Sequence, residues 1–182
     1  MHSACLCLIV ALGALTWSLP AHAAKDVVVL GMQDEPPVLD PTANAAAAID
    51  SIFADNVYET LTKIVDDGSI QPGLATSWTI TEDGRVYRFN LVKGAKYHDG
   101  KPMDSADVKF ALGRAMAADS TNPSKRFLGP VASIETPDDA TVVITLKQPI
   151  SLFLFQMSSG SMSAMGRASA EGNKTNPIGT GP

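Results

Sequence analysis

The chain has 182 residues, of which 45% are hydrophobic, and its formal net charge is −5. This length suffices for one domain or slightly more, and the hydrophobic content excludes a globally disordered chain. The mildly acidic balance and the lack of a basic stripe argue against nucleic-acid binding.

The N-terminal segment has the pattern of a secretion signal. An apolar run from Cys5 to Trp17 precedes Ala21-His22-Ala23, whose small first and third residues fit signal-peptidase cleavage after Ala23. The run is shorter than the roughly 20 apolar residues of a membrane span. We therefore expect residues 1–23 to be a cleaved signal peptide; the alternative is an uncleaved anchor.

Both cysteines and two of the three histidines lie in this segment, so the mature chain would keep only His98. It would contain no disulfide and no thiolate metal ligand, and we expect no metal site and no cofactor. His98-Asp99 are neighbours in a predicted turn, and Met162 occupies the serine position of a Gly-x-Ser-x-Gly pattern. These observations favour a protein that is not an enzyme.

The first part of the mature chain predicts a strand, a proline-rich segment and a helix. The β-branched run 26–31 favours a strand, and the prolines of 35–41 exclude a helix there. Residues 45–61 predict one helix because apolar side chains recur on a single face. A second strand is expected over 61–65.

The middle of the chain predicts a hairpin and a capped helix. Strand-like runs flank Asp83-Gly84, a pair that tolerates the positive φ of a tight turn. Asp104 can cap a following helix, and Asp107 places negative charge near its N-terminus.

The last third predicts a surface loop over 119–130 and a hairpin whose strands are 131–135 and 141–146. An apolar helix is expected to begin near Pro149, and residues 158–173 show no clear period. The glycine-rich end, 176–182, is typical of a disordered tail and not of a dinucleotide loop, since no helix follows it.

An ordered set of short motifs spans about forty residues in the middle of the chain. Its members are Pro72-Gly73-Leu74-Ala75, Ser77-Trp78, Asp83-Gly84, Tyr87, Phe89, Leu91, Gly94, Tyr97-His98-Asp99-Gly100, Pro102 and Ala106-Asp107-Val108. This set resembles the family 5 extracellular solute-binding proteins, the periplasmic peptide- and nickel-binding components of ABC importers.

This resemblance implies a mixed α/β fold of the type II periplasmic binding protein class, present only in part. It implies that 24–60 start lobe I, that 61–175 form the smaller domain II, and that 176–182 begin the return crossing into lobe I. The remainder of the fold, including most of the ligand cleft, would lie outside the 182 residues.

The resemblance also implies where a ligand would be contacted. In the family, backbone groups just past the Leu-Asp-Pro element contact the ligand, and the corresponding residues are Thr42, Asn44, Ala45, Ala46 and Ala47. Tyr58 has two interpretations: a cleft wall with a hydrogen-bonding hydroxyl, or a core residue whose hydroxyl finds a backbone partner.

The implied function is binding of a small peptide or another small solute for delivery to the permease subunits of an ABC importer, by a monomeric periplasmic protein. The ligand stays open between peptide, nickel chelate, opine, sugar and bile salt. The alternative is a secreted β-rich interaction or sensor module without transport activity. On the first interpretation, we expect the 182 residues alone to bind peptide weakly or not at all.

Overall fold

The computed structural model describes Val29 and residues 31–182. The predicted signal peptide and most of the predicted strand at 26–31 lie outside the described residues. Residues 34–182 form one compact unit, and all the features below belong to it.

A four-stranded antiparallel sheet is the centre of this unit. Its strands are β3 (Ala75–Ile80), β4 (Val86–Leu91), β5 (Val131–Asp138) and β6 (Thr141–Leu146), in the spatial order β3-β4-β6-β5. Both predicted hairpins are confirmed, and β4 pairs with β6 at the centre of the sheet.

Alternation in β4 explains why the sheet has one buried face. Tyr87, Phe89 and Leu91 are buried, while the residues between them are exposed. Successive side chains of a strand point to opposite faces, so this pattern places the three apolar residues in the core. The β3–β4 turn contains Gly84 with φ +67°, the positive value expected for a tight hairpin.

Helix α2 covers the buried face of the sheet and begins at the predicted cap. It spans Ser105–Met116, and Asp104 accepts from the Asp107 backbone N–H at 3.0 Å while the Asp107 carboxylate accepts from the Asp104 N–H at 3.3 Å. This reciprocal capping satisfies two backbone donors at the helix start. The prediction of a capped helix is confirmed.

The predicted helix over 45–61 is wrong in its extent. Helix α1 covers only Ala47–Phe53, and Asp55 adopts φ +61° immediately after it. Left-handed backbone at a non-glycine residue cannot continue a helix. The amides of Val57 and Tyr58 both donate to the carbonyl of Phe53, which closes a tight turn at this point.

The small elements differ from the predictions in detail. Strands β1 (Thr62–Ile64) and β2 (Ile70–Pro72) form a separate hairpin. The predicted surface loop 119–130 contains the short helix α3 (Lys125–Leu128) and buries Leu128 completely. A one-turn helix, α4, covers Phe153–Gln156, and a 3₁₀ turn follows at Gly160–Met162, where no element was predicted.

Apolar side chains gather in two clusters. The larger lies between the sheet, α2 and α4, where Phe153 packs against Tyr87 with ring centroids 4.7 Å apart. The smaller cluster brings Ile49 and Phe53 of α1 together with Tyr58 and Met165. The mixed α and β fold class predicted from the sequence is confirmed.

Candidate functional site

The segment that follows the proline-rich stretch is built around a buried carboxylate. The Asp40 side chain has 0% exposure, and its Oδ1 accepts from the Thr42 backbone N–H at 2.8 Å and from the Thr42 hydroxyl at 2.6 Å. A buried charge is tolerated only when it is paired and hydrogen-bonded. This bonding therefore fixes the backbone at the entrance to residues 42–47.

Arg114, in the last turn of α2, supplies the opposite charge. Its guanidinium lies 3.3 Å from Asp40 Oδ2 and donates to the Thr42 hydroxyl oxygen at 3.0 Å. The planar guanidinium presents five N–H donors, so one side chain can bind both groups. Helix α2 and the segment 42–47 are thereby linked across 74 residues of sequence.

The backbone donors of this segment are only partly satisfied among the described residues. The Asn44 side chain accepts from the Ala46 N–H at 2.9 Å. The N–H groups of Asn44 and Ala45 have no hydrogen-bond partner among the described residues. Ala45 is also exposed to solvent. An exposed N–H without a partner can donate to a carbonyl or carboxylate oxygen of a ligand.

A half-open cavity of about 370 Å³ adjoins this segment. Thr42 and Ala43 line one side, and Arg114 lines another. The remaining wall is mixed in polarity. Its apolar part comes from α2 and the residue after it: Phe110, Ala115 and Ala117. Its polar part comes from the following chain and a later turn: Asp119, Ser120, Thr121, Asn122, Glu171 and Lys174. A volume of this size falls within the range of about 300–1,000 Å³ that small-molecule sites occupy.

Tyr58, the sixth predicted site residue, lies in the core. Its side chain is completely buried beneath α1, and its hydroxyl has no hydrogen-bond partner among the described residues. Burial, reinforced by the nearby Asp40 carboxylate, raises the pKa of Tyr58. Of the six predicted site residues, only Thr42 lines the cavity; Asn44, Ala45, Ala46, Ala47 and Tyr58 do not.

Two residues of this site were not among the predicted site residues. Asp40 belongs to the Leu-Asp-Pro element, so the sequence marked its position. Arg114 carried none, because nothing in the sequence pairs a residue of α2 with one that is 74 positions earlier.

The rest of the described part of the chain offers little for chemistry. No group of three or more His, Cys, Asp or Glu side chains within it could hold a metal ion. His98 contacts the backbone of Gly179 and Gly181 and not a nucleophile. No helix among the described residues is both long and apolar enough to cross a membrane.

Comparisons with known proteins identify relatives of this chain. Residues 69–182 match the family model of the bacterial extracellular solute-binding proteins, family 5 middle. A glutathione-binding protein, GsiB of Salmonella choleraesuis, is 36% identical over 137 residues, which are 75% of this chain and 26% of that protein.

Two solved structures are similar over most of the chain. The PBP AgaA in complex with agropinic acid, from A. tumefaciens R10, has a TM-score of 0.74 and 30% identity, covering 81% of this chain and 30% of that one. The ABC transporter-associated periplasmic binding protein DppA from Helicobacter pylori, in complex with the peptide STSA, has a TM-score of 0.68 and 28% identity, covering 80% and 33%. The chain therefore spans about a third or less of the length of these relatives.

Proposed function

This chain belongs to the family 5 bacterial extracellular solute-binding proteins, and we propose that it forms the N-terminal part of the periplasmic component that delivers a peptide or similar small solute to an ABC importer. Its fold is part of the type II periplasmic binding protein fold. Within it, we propose that residues 24–60 start lobe I, residues 61–175 form domain II and residues 176–182 begin the return crossing.

The observation that carries this proposal is the segment 42–47, whose first two residues line the cavity. The Asp40–Arg114 pair fixes the start of its backbone, and the N–H groups of Asn44 and Ala45 have no partner among the described residues. Preorganised donors lose little freedom when a ligand binds, so they favour affinity. Backbone donors would bind carbonyl or carboxylate oxygens, which peptides and related solutes carry.

In this proposal the ligand contacts are made by Thr42, Asn44, Ala45, Ala46 and Ala47. Tyr58 supports them from below, as a packed residue beneath α1. The proposed mechanism is closure of two lobes around the solute, which buries the ligand and satisfies its polar groups. No part of this mechanism calls for a cofactor or for catalysis.

Isothermal titration calorimetry tests the proposal on the product of the whole open reading frame that contains this chain. Glutathione, the peptide STSA and agropinic acid are the probes. We expect one of them to bind with a dissociation constant in the micromolar range or below. Absence of heat with all three probes would contradict the proposed solute class.

The substitution Thr42→Val tests the position of the site. It removes the hydroxyl that links Asp40 to Arg114 and keeps the size of the side chain. We expect a loss of affinity of about threefold or more, because the backbone donors that follow Thr42 lose part of their preorganisation. Thr79→Val, on an exposed position of β3, is the matched control. Equal affinities of the two variants would place the ligand elsewhere.

The 182-residue chain gives a second test. On the proposed domain assignment, this chain alone contains domain II and only the start of lobe I, so two lobes cannot close around a solute. We therefore expect it to bind peptide weakly or not at all. Micromolar binding by the purified 182-residue chain would refute the closure mechanism while leaving the solute class untouched.

A further inference from the structure

His98 contacts the segment Gly179–Gly181 through three polar atoms. Its backbone N–H donates to the Gly179 carbonyl at 3.0 Å. Its ring Nε2 lies 3.0 Å from the Gly181 carbonyl oxygen, and its Nδ1 accepts from the Gly179 N–H at 3.4 Å. A single residue therefore binds both ends of a three-residue segment more than 80 positions later.

The chemistry of these contacts assigns the protonation of the ring. A carbonyl oxygen only accepts, so Nε2 must carry the proton that it shares with Gly181. Nδ1 accepts an N–H, so it must carry none. The arrangement fits the neutral imidazole with its proton on Nε2, which acts as one donor and one acceptor.

The segment that His98 holds lies against the loop after α1. The Gly181 N–H donates to the Val57 carbonyl at 3.0 Å. A Cβ at Gly179 would lie 1.8 Å from that same carbonyl oxygen and 3.0 Å from the Tyr58 ring. Two backbones this close leave no room for a side chain, so only glycine fits at residue 179.

We infer that His98 is a positioning residue: its ring seats Gly179–Gly181 on the loop that carries Tyr58, and thereby fixes Tyr58 beneath α1. The contacts run from the turn at His98 through Gly181 to Val57 and its neighbour Tyr58. This inference concerns the packing of the loop and holds whether or not the chain binds the proposed solutes.

Amide hydrogen exchange measured by NMR on the product of the whole open reading frame that contains this chain tests this inference. His98→Phe keeps a ring of similar shape and removes both ring contacts. We expect the Gly181 amide to exchange about tenfold faster, the loss that one hydrogen bond of typical strength produces. We also expect the ring-proton shifts of Tyr58 to move.

A conservative pair of variants separates positioning from mere space filling. His98→Gln keeps an N–H donor near the place of Nε2, so Gly181 exchange should stay within threefold of the original chain. His98→Asn keeps an acceptor near the place of Nδ1 but does not reach Gly181, so it should resemble His98→Phe at that amide. Lys96→Met, an exposed neighbour, is the matched control.

Two outcomes would overturn the inference. One is an exchange rate of the Gly181 amide that changes less than twofold in His98→Phe, or that changes by the same factor in His98→Phe and His98→Gln. The other is faster exchange of the Phe89 amide, at the centre of the sheet, in parallel with Gly181. That result would assign the effect to global destabilisation and not to the seating of the loop.

Discussion

Replacing Arg167 with methionine should destabilise the chain by about 1–2 kcal/mol, because it removes the cation from a buried carboxylate. The Asp107 side chain is 4% exposed, and Arg167 Nε donates to its Oδ1 at 2.9 Å. The same guanidinium lies 2.9 Å from Asp104 Oδ2. Arg167 therefore binds both carboxylates of the capping box at the start of α2.

The size of this loss of stability depends on the interactions that Asp107 retains in the variant. Breaking a fully buried ion pair costs about 3–5 kcal/mol. Here the Arg167 side chain is 52% exposed, so water already screens part of the attraction. Asp107 also retains hydrogen bonds from the backbone N–H groups of Asp104 and Arg167, and a carboxylate in the first turn is favoured by the helix dipole. These terms reduce the loss to roughly the value of one hydrogen bond to a charged group.

Urea unfolding followed by the fluorescence of Trp78 measures this loss. Lys109→Met, an exposed position on the same helix, is the matched control. Asp107→Asn and the double variant complete a thermodynamic cycle, for which we expect a coupling of about 1 kcal/mol or more. If Arg167→Met unfolds within about 0.3 kcal/mol of the control, or if the coupling vanishes, the pair does not stabilise the helix start.

Three other changes have calculable results. Hydrogen bonds from the Thr81 hydroxyl and a neighbouring arginine lower the pKa of Asp83 from 3.8 to about 2. The stabilisation that this lower pKa brings is present above pH 3.8 and is lost as the pH falls towards 2. In Asp83→Asn the midpoint of urea unfolding should therefore depend less on pH over that window. An unchanged pH dependence of the midpoint would contradict this expectation. Gly73→Ala would place a Cβ 2.5 Å from the Thr60 carbonyl oxygen, and calorimetry should show a loss of about 1–3 kcal/mol. Phe153→Ala empties a fully buried position and should cost about 3–5 kcal/mol by urea unfolding, unless the site collapses.

Local signals predicted the sheet and its main helix well. Asp83-Gly84 and the flanking β-branched and aromatic residues predicted the first hairpin, because a tight turn needs a positive φ that glycine allows. Asp104 predicted the start of α2, because a capping side chain needs only its nearest neighbours. Both features depend on a few adjacent residues.

The errors arose where distant residues decide the structure. No glycine or proline marks the end of the helix at Phe53, and Asp55 adopts left-handed backbone, which Asp tolerates better than most residues but seldom adopts. Leu128 lies in a polar, turn-rich stretch, yet it is fully buried in the main core. The candidate site predicted from the sequence contained the segment from Thr42 to Ala47 but not Arg114, because the contact between Arg114 and Thr42 exists only after folding.

The order of the strands also has a consequence for folding of the chain. The central strand β4 pairs with β6, and the register Asn90↔Thr141 joins residues on either side of α2 and β5. This non-local pairing forms more slowly than the β3–β4 hairpin, because it must first overcome the entropy of closing the loop between the two strands. Until β6 pairs, the hairpin has an open edge with three buried-face side chains exposed, and an open apolar edge invites pairing with other chains. A chaperone bound to the unfolded chain would protect the hairpin at the stage where it is most exposed to aggregation.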